Sequence, residues 1–166
     1  TQDSTGLGIK LERVLWGSWA PAKLKLAVTG CPRNCAEATC KDIGVICVDS
    51  GYEIIYGGAA GLHIQGTTSL GMVKTEEEVI ETICALTQYY RENGYYLERI
   101  YKWADRVGYD HIKSVVYDDL DARKAYAERF AFSQKFSQVD PWAERVAGAE
   151  AHEFAPMADL KLEAAE

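Results

Sequence analysis

The sequence has no long hydrophobic run: nothing approaches the roughly 20 consecutive apolar residues that a membrane-spanning helix needs, which excludes an anchor of that kind. It also lacks an excess of positive charge. The formal net charge is −7, which argues against a nucleic-acid or anionic-membrane partner. No signal-peptide pattern opens the chain. Histidine is scarce: His63, His111 and His152 are scattered, without a carboxylate or second histidine at ligand spacing, so each reads as structural or surface. No G-x-G-x-x-G opens a helix, which excludes a dinucleotide fingerprint, and no internal repeat is visible.

What is present is one ordinary domain's worth of chain, 166 residues with 48% hydrophobic content, enough to build a core. The basic residues gather early (Lys10, Arg13, Lys23, Lys25, Arg33, Lys41), so the acid excess sits downstream of residue 47. Five cysteines, at 31, 35, 40, 47 and 84, are an odd number in an uneven cluster. That does not look like a secreted disulfide framework, and a reducing, cytoplasmic setting fits better. The chain opens on Thr1, and TQDSTGLG reads like mid-protein text; we expect a piece of a longer polypeptide.

The pattern predicts a helix over 5–16, with Leu7, Leu11, Val14 and Leu15 on one face. A strand follows over 23–28, then a helix over 32–42 with Pro32 in its first turn, where a missing N–H costs nothing. Residues 43–49 and 52–57 read as a hairpin about Asp49-Ser50-Gly51, and 62–65 as a short third strand. Gly57, Gly58 and Gly61 mark a small-residue loop, either a plain tight turn or a place where backbone approaches a bulky group. Thr75 and Glu78 form a capping box for a helix to about Gly94, with Val79, Ile83, Leu86 and Tyr90 inward. Further helices are expected over 95–107, from Tyr109, and over 119–135, with a sparser tail from Pro141. The fold class is α+β: a small mixed sheet from residues 23–65, covered by the N-terminal helix, helix 32–42 and a helical C-terminal half. Tyr89, Tyr90, Tyr95, Tyr96, Tyr101 and Trp103 read as packing; Trp16 and Trp19 flank a loop and fit either packing or function.

The segment with most chemistry is Gly30-Cys31-Pro32-Arg33-Asn34-Cys35. A lone C-x3-C is most simply two small buried side chains at a strand–helix corner. The alternative is a pair of soft thiolates facing one metal centre, iron–sulfur or zinc, with the expected helix start favouring the thiolate form. Arg33 and Asn34 read equally as ordinary helix-start residues or as donors toward a cofactor. Cys40, Cys47 and Cys84 read as buried thiols.

GCPRNCAEA, followed by KDIGVICVDSGYEIIYGGAAG, resembles the siroheme/iron–sulfur domain of assimilatory nitrite and sulfite reductases. TQDSTGLGIKLE, Gln88-x-Tyr90-Arg91, Glu98-Arg99 through Trp103, and Arg106-Val107-Gly108 are most similar to the NAD(P)H nitrite reductase large subunit. The likeness covers residues 1–108 well and 109–155 more loosely. It implies a domain over 1–108, a helical extension packed on it over 109–146, and a flexible tail over 147–166. It further implies four cysteines holding a 4Fe–4S cluster, with Cys31 a cluster ligand and Cys35 bridging the cluster to siroheme. Arg33 and Asn34 would approach the cofactors. The activity implied is reduction of nitrite to ammonia, with FAD and NAD(P)H bound only in upstream domains. Those domains and a small ferredoxin-like (Rieske-type) subunit are the implied partners. The family's C-x5-C pair is missing from this chain and would lie just before Thr1, so the chain holds half a cluster site and is expected to be inactive alone. Sulfite reductase shares these features and is the near rival. A non-catalytic module binding zinc through Cys31, Cys35 and Cys40, or a plain docking domain, is the distant one.

Overall fold

The computed structural model describes residues 2–138 and 140–148. The expectations placed on the last eighteen residues, including the tail and His152, lie outside that range.

Helix α1 (Ser4–Leu15) starts where the Asp3 side chain accepts the Gly6 N–H, and it buries Leu7 and Leu11. Strands β1 (Leu26–Thr29), β2 (Ile43–Val48) and β3 (Gly51–Tyr56) follow, then a two-stranded ribbon of β4 (Ala59–Ala60) and β5 (Ile64–Gln65), and then β6 (Thr68–Val73). The main sheet has the order β1-β2-β3-β6. β1 runs parallel to β2, while β2–β3 and β3–β6 are antiparallel, with a register shift at Ile54/Ile55. The expected hairpin is therefore present, with Val48 opposite Gly51.

Helix α2 (Glu76–Asn93) has the expected capping box: Thr75 Oγ1 accepts the Glu78 N–H at 3.2 Å, and the Glu78 carboxylate accepts the Thr75 N–H at 3.1 Å. Its buried face carries Val79, Ile83, Leu86 and Tyr90, the stripe that 3.6-residue periodicity marks. Then come α3 (Ile100–Val107), α4 (Tyr109–Lys113), which widens into a π-type turn over Ser114–Asp118, α5 (Leu120–Ser137), and α6 (Pro141–Val146). Ile43, Val45, Ile54, Tyr56 and Leu70 from the sheet meet Leu7, Leu11, Ile83, Leu86, Ile100 and Trp103 in one core. Tyr89 and Tyr90 both pack their rings on Trp103.

The α+β class holds, with four corrections. Helix 32–42 does not form: left-handed backbone at Asn34 (φ 55) and Glu37 (φ 54) interrupts it, leaving turns and one 3-10 turn over Ala38–Cys40. The fourth strand of the main sheet is β6; residues 64–65 pair instead with 59–60, outside that sheet. The helix expected from 95 begins at Ile100, because Leu97 is left-handed (φ 64) and Arg99, the N-cap residue, is extended. Pro141 and Trp142 open a short helix capped by the Asp140 side chain.

Candidate functional site: the cysteine loop

Parallel neighbours cannot be joined by a hairpin. The link from β1 to β2 must leave the sheet and return, and this crossover, residues 30–42, is the cysteine loop. It springs from the C-terminal end of β1, where sheet geometry commonly places ligand sites.

The loop is a run of three tight turns. The Asn34 N–H donates to the Cys31 carbonyl (3.1 Å), Glu37 N–H to Asn34 (2.9 Å) and Cys40 N–H to Glu37 (3.2 Å). Asn34 holds the run together. Its Oδ1 accepts the Ala38 N–H at 2.7 Å and its Nδ2 donates to Thr39 Oγ1 at 2.7 Å. Asparagine suits this position because it tolerates the left-handed region better than most residues. Ala38 beneath it is fully buried. The backbone N–H groups of Arg33, Cys35 and Ala36 make no hydrogen bond to another described residue. No α-helix starts at the cysteines, so the expected helix-dipole contribution is absent.

All five cysteines are thiols. Cys31 is half-buried and Cys35 exposed, and the two expected ligands share one loop. Cys40 is turned to other partners: its Sγ lies 3.2 Å from the Glu37 carbonyl and 3.6 Å from Lys41 Nζ. Among the described residues, no three of His, Cys, Asp or Glu converge as a metal site, so the zinc set of Cys31, Cys35 and Cys40 is not assembled. Cys47 and Cys84 are buried, as expected, and burial pushes the Cys84 thiol up to about 12. Arg33 is exposed and makes no ion pair among the described residues. Asn34 is spent on the loop itself.

The glycine loop has a packing role. A Cβ on Gly57, whose φ is +83, would meet the Tyr109 hydroxyl at 2.6 Å, and one on Gly58 would meet the Lys41 carbonyl at 2.6 Å. These glycines let the ribbon close against the end of the cysteine loop, where Gly58 N–H donates to Lys41 O and Thr67 N–H to Thr39 O. His63 is exposed and stacks on Tyr101, and His111 is exposed too.

One relationship was not legible in the pattern. The chain's beginning lies against the cysteine loop: Gln2 N–H donates to the Gly30 carbonyl at 3.4 Å, and a Cβ on Gly30 would sit 3.1 Å from Ser4 Oγ. Residues almost thirty apart meet because α1 folds back beside β1, and no local signal carries that information.

The chain that carries this strand-end loop with two thiols belongs to the nitrite and sulphite reductase 4Fe-4S domain family, which residues 1–124 match. It is 50% identical over 118 residues to nitrite reductase (NAD(P)H) of Bacillus subtilis, an alignment covering 71% of this chain and 15% of that protein. It is 30% identical over 115 residues to an assimilatory-type sulfite reductase of Nitratidesulfovibrio vulgaris, covering 69% of this chain and 53% of that protein. In structure it is similar to the NirA protein of Mycobacterium tuberculosis, with a TM-score of 0.60 and 21% identity over 70% of this chain and 23% of that one. The chain thus spans about one seventh of the Bacillus enzyme's length.

Proposed function

We propose that this chain is the iron–sulfur portion of a nitrite reductase that converts nitrite to ammonia at siroheme coupled to a 4Fe–4S cluster. NAD(P)H is the ultimate donor, through flavin-bearing domains upstream. A small ferredoxin-like subunit is the expected partner, and the cytoplasm the expected compartment. The observation that carries this reading is the meeting of the chain's beginning with the Cys31–Cys35 loop. In a longer chain, polypeptide leading into Gln2 would pass beside Gly30, next to Cys31, where a second cysteine pair would complete four ligands.

The residues fit half of such a site. Cys31, half-buried, and Cys35, exposed, are soft thiolate donors of the kind that hold iron–sulfur clusters. Cys35 is exposed, and it is the ligand we assign to be shared with siroheme. When bound, the cluster would relay electrons that originate at NAD(P)H, and siroheme would supply the iron at which nitrite is reduced. The chain's own residues arrange the surroundings. The N–H groups of Arg33, Cys35 and Ala36 are available to donate toward cluster sulfur, and turns with left-handed residues form the concavities in which such donors converge. Donors of this kind raise a cluster's reduction potential. Arg33, exposed and without an ion pair among the described residues, is the proposed donor toward a siroheme carboxylate or cluster sulfide, and Asn34 the residue that positions the loop.

The test is a longer chain carrying the upstream polypeptide, purified anaerobically. Iron, sulfide and a siroheme absorption band in stoichiometric amount are expected, with a preference for nitrite in steady-state assay. Zinc without siroheme would overturn the reading, and a large preference for sulfite would reassign the substrate. Cys35→Ser should abolish siroheme retention or its coupling to the cluster. Unchanged coupling of the two spectra would remove the bridging role.

A further inference from the structure

A small pocket lies at the far end of the cysteine crossover. β1 runs from Leu26, beside Ile43, to Thr29, beside Ile46. Cys31 follows the end of β1, whereas Lys25 and Asp42 sit where β1 and β2 begin. There a cavity of about 270 Å³ is lined by Lys23, Lys25, Lys41, Arg99 and His63, and by neither Cys31 nor Cys35. The four residues of β1, at about 3.3 Å each, separate the two places by roughly 13 Å.

The charge of this pocket is one-sided. The chain carries a net charge of −7, yet among the described residues no Asp or Glu lines the cavity. Two of its cations are largely withdrawn from solvent: the Lys41 and Arg99 side chains are 24% and 23% exposed. Each has a carboxylate, Glu37 at 3.2 Å from Lys41 and Asp42 at 2.7 Å from Arg99. Lys23 and Lys25 have none, since neither makes an ion pair among the described residues. Two positive charges are therefore left uncompensated at one small cavity.

Donors are free there as well. Arg99 meets Asp42 through Nε and Nη2, and its Nη1 makes no hydrogen bond to another described residue. The turn of the β4–β5 ribbon adds Leu62 and His63, whose N–H groups are likewise unpartnered among the described residues. Clefts lined by charge of one sign concentrate counter-ions, and ionised donors hold oxyanions by short, strong hydrogen bonds. The cavity is smaller than the roughly 300–1,000 Å³ of pockets for drug-sized ligands.

We infer that this pocket binds a small, doubly charged oxyanion of the phosphate or sulfate class between Lys23, Lys25 and the free edge of Arg99. Two uncompensated cations match a dianion better than they match singly charged nitrite, and neither Cys31 nor Cys35 takes part. The bound ion braces the lead into β1, the Arg99–Asp42 pair and the ribbon, which together close the crossover.

Titration of inorganic phosphate into the 166-residue chain, followed by calorimetry and by amide chemical shifts, tests the site. Ionic strength is held constant, because salt screens exposed lysines. One saturable site per chain is expected, with sulfate competing for it. The melting temperature should rise, since a ligand of the folded state stabilises that state. Nitrite and chloride should bind about tenfold more weakly or worse. Lys23→Ala/Lys25→Ala should keep the melting temperature of the unliganded chain and weaken phosphate binding by about tenfold, through lost charge-assisted contacts. In the wild type, the shifts should fall on Lys25, Lys41, Leu62 and His63. A response that never saturates, an adventitious ion only, would overturn the proposal. So would unchanged affinity in the double variant, or nitrite bound as tightly as phosphate. Shifts on residues 31–36 in place of those four would put the anion at the cysteine loop and overturn it too. If the double variant melts early, the wild-type shifts decide. The outcome is separate from the reductase reading: Cys31→Ser/Cys35→Ser should bind phosphate as the wild type does, and loss of binding there would count against the pocket.

Discussion

Arg99 grips Asp42 through both carboxylate oxygens: its Nη2 lies 2.7 Å from each and its Nε 3.0 Å from Oδ1. Asp42 is fully buried. It closes the cysteine crossover, its Oδ2 accepts the Lys25 N–H at 2.8 Å ahead of β1, and its carbonyl accepts the Gly57 N–H at 2.9 Å. One residue thus joins the lead into β1, the end of the cysteine loop, the glycine loop and the start of α3.

Replacing Arg99 by leucine leaves that carboxylate buried and unpaired. Removing one partner of a buried pair costs about 3–5 kcal/mol, so urea unfolding of Arg99→Leu should show a loss of that size. Asp42→Asn keeps the Lys25 contact possible and should cost less. A loss within experimental error for Arg99→Leu would show that the pair is not the fold's clasp.

The thiols should react with a disulfide reagent in the order of their exposure. Cys35 is expected first, Cys31 and Cys40 more slowly, and Cys47 and Cys84 only on unfolding, because burial both blocks them and raises their pKa values. Mass spectrometry of partially labelled native protein reads the order directly.

Acid sensitivity should trace in part to Glu98. The Arg106 guanidinium, with Nε at 2.8 Å, and the Tyr95 N–H, at 2.9 Å, hold its carboxyl below the usual range. A folded-state pKa below the unfolded value stabilises above the unfolded value, about 4.3, and that stability is lost as pH falls through the folded pKa. Glu98→Gln should therefore be less stable than wild type at pH 7, and the gap should narrow below about pH 4. Thermal melts across that range measure it.

Gly71 should resist any side chain. A Cβ there would lie 2.2 Å from the Tyr117 ring, whose hydroxyl accepts the Met72 N–H at 3.1 Å and donates to the Met72 carbonyl at 2.6 Å. Overpacking of this kind costs about 1–3 kcal/mol, so Gly71→Ala should lower the denaturation midpoint accordingly. Tyr117→Phe, which removes both hydrogen bonds and keeps the ring, should cost about 1 kcal/mol.

The sequence by itself determined the elements whose cause is local. The capping box of Thr75 and Glu78, the apolar stripe of α2, and the β2–β3 hairpin about Asp49-Ser50 are set by side chains within a few residues of one another. It also determined the family, because the cysteines and their flanks are contiguous. The tertiary structure decided the rest. Helix 32–42 gave way to turns because a parallel crossover must leave the sheet end and return, and Asn34 satisfies the turning backbone through Ala38 and Thr39. β6 carries a weak local signal, with Gly71 inside Thr68–Val73; its place comes from pairing with β3 and from Tyr117, distant in sequence. The meeting of Gln2 with Gly30, and of Trp16 and Trp19 with β1 across a groove, depends on how α1 packs. Periodicity reports which face of an element is buried, while the packing of distant elements settles what that face meets.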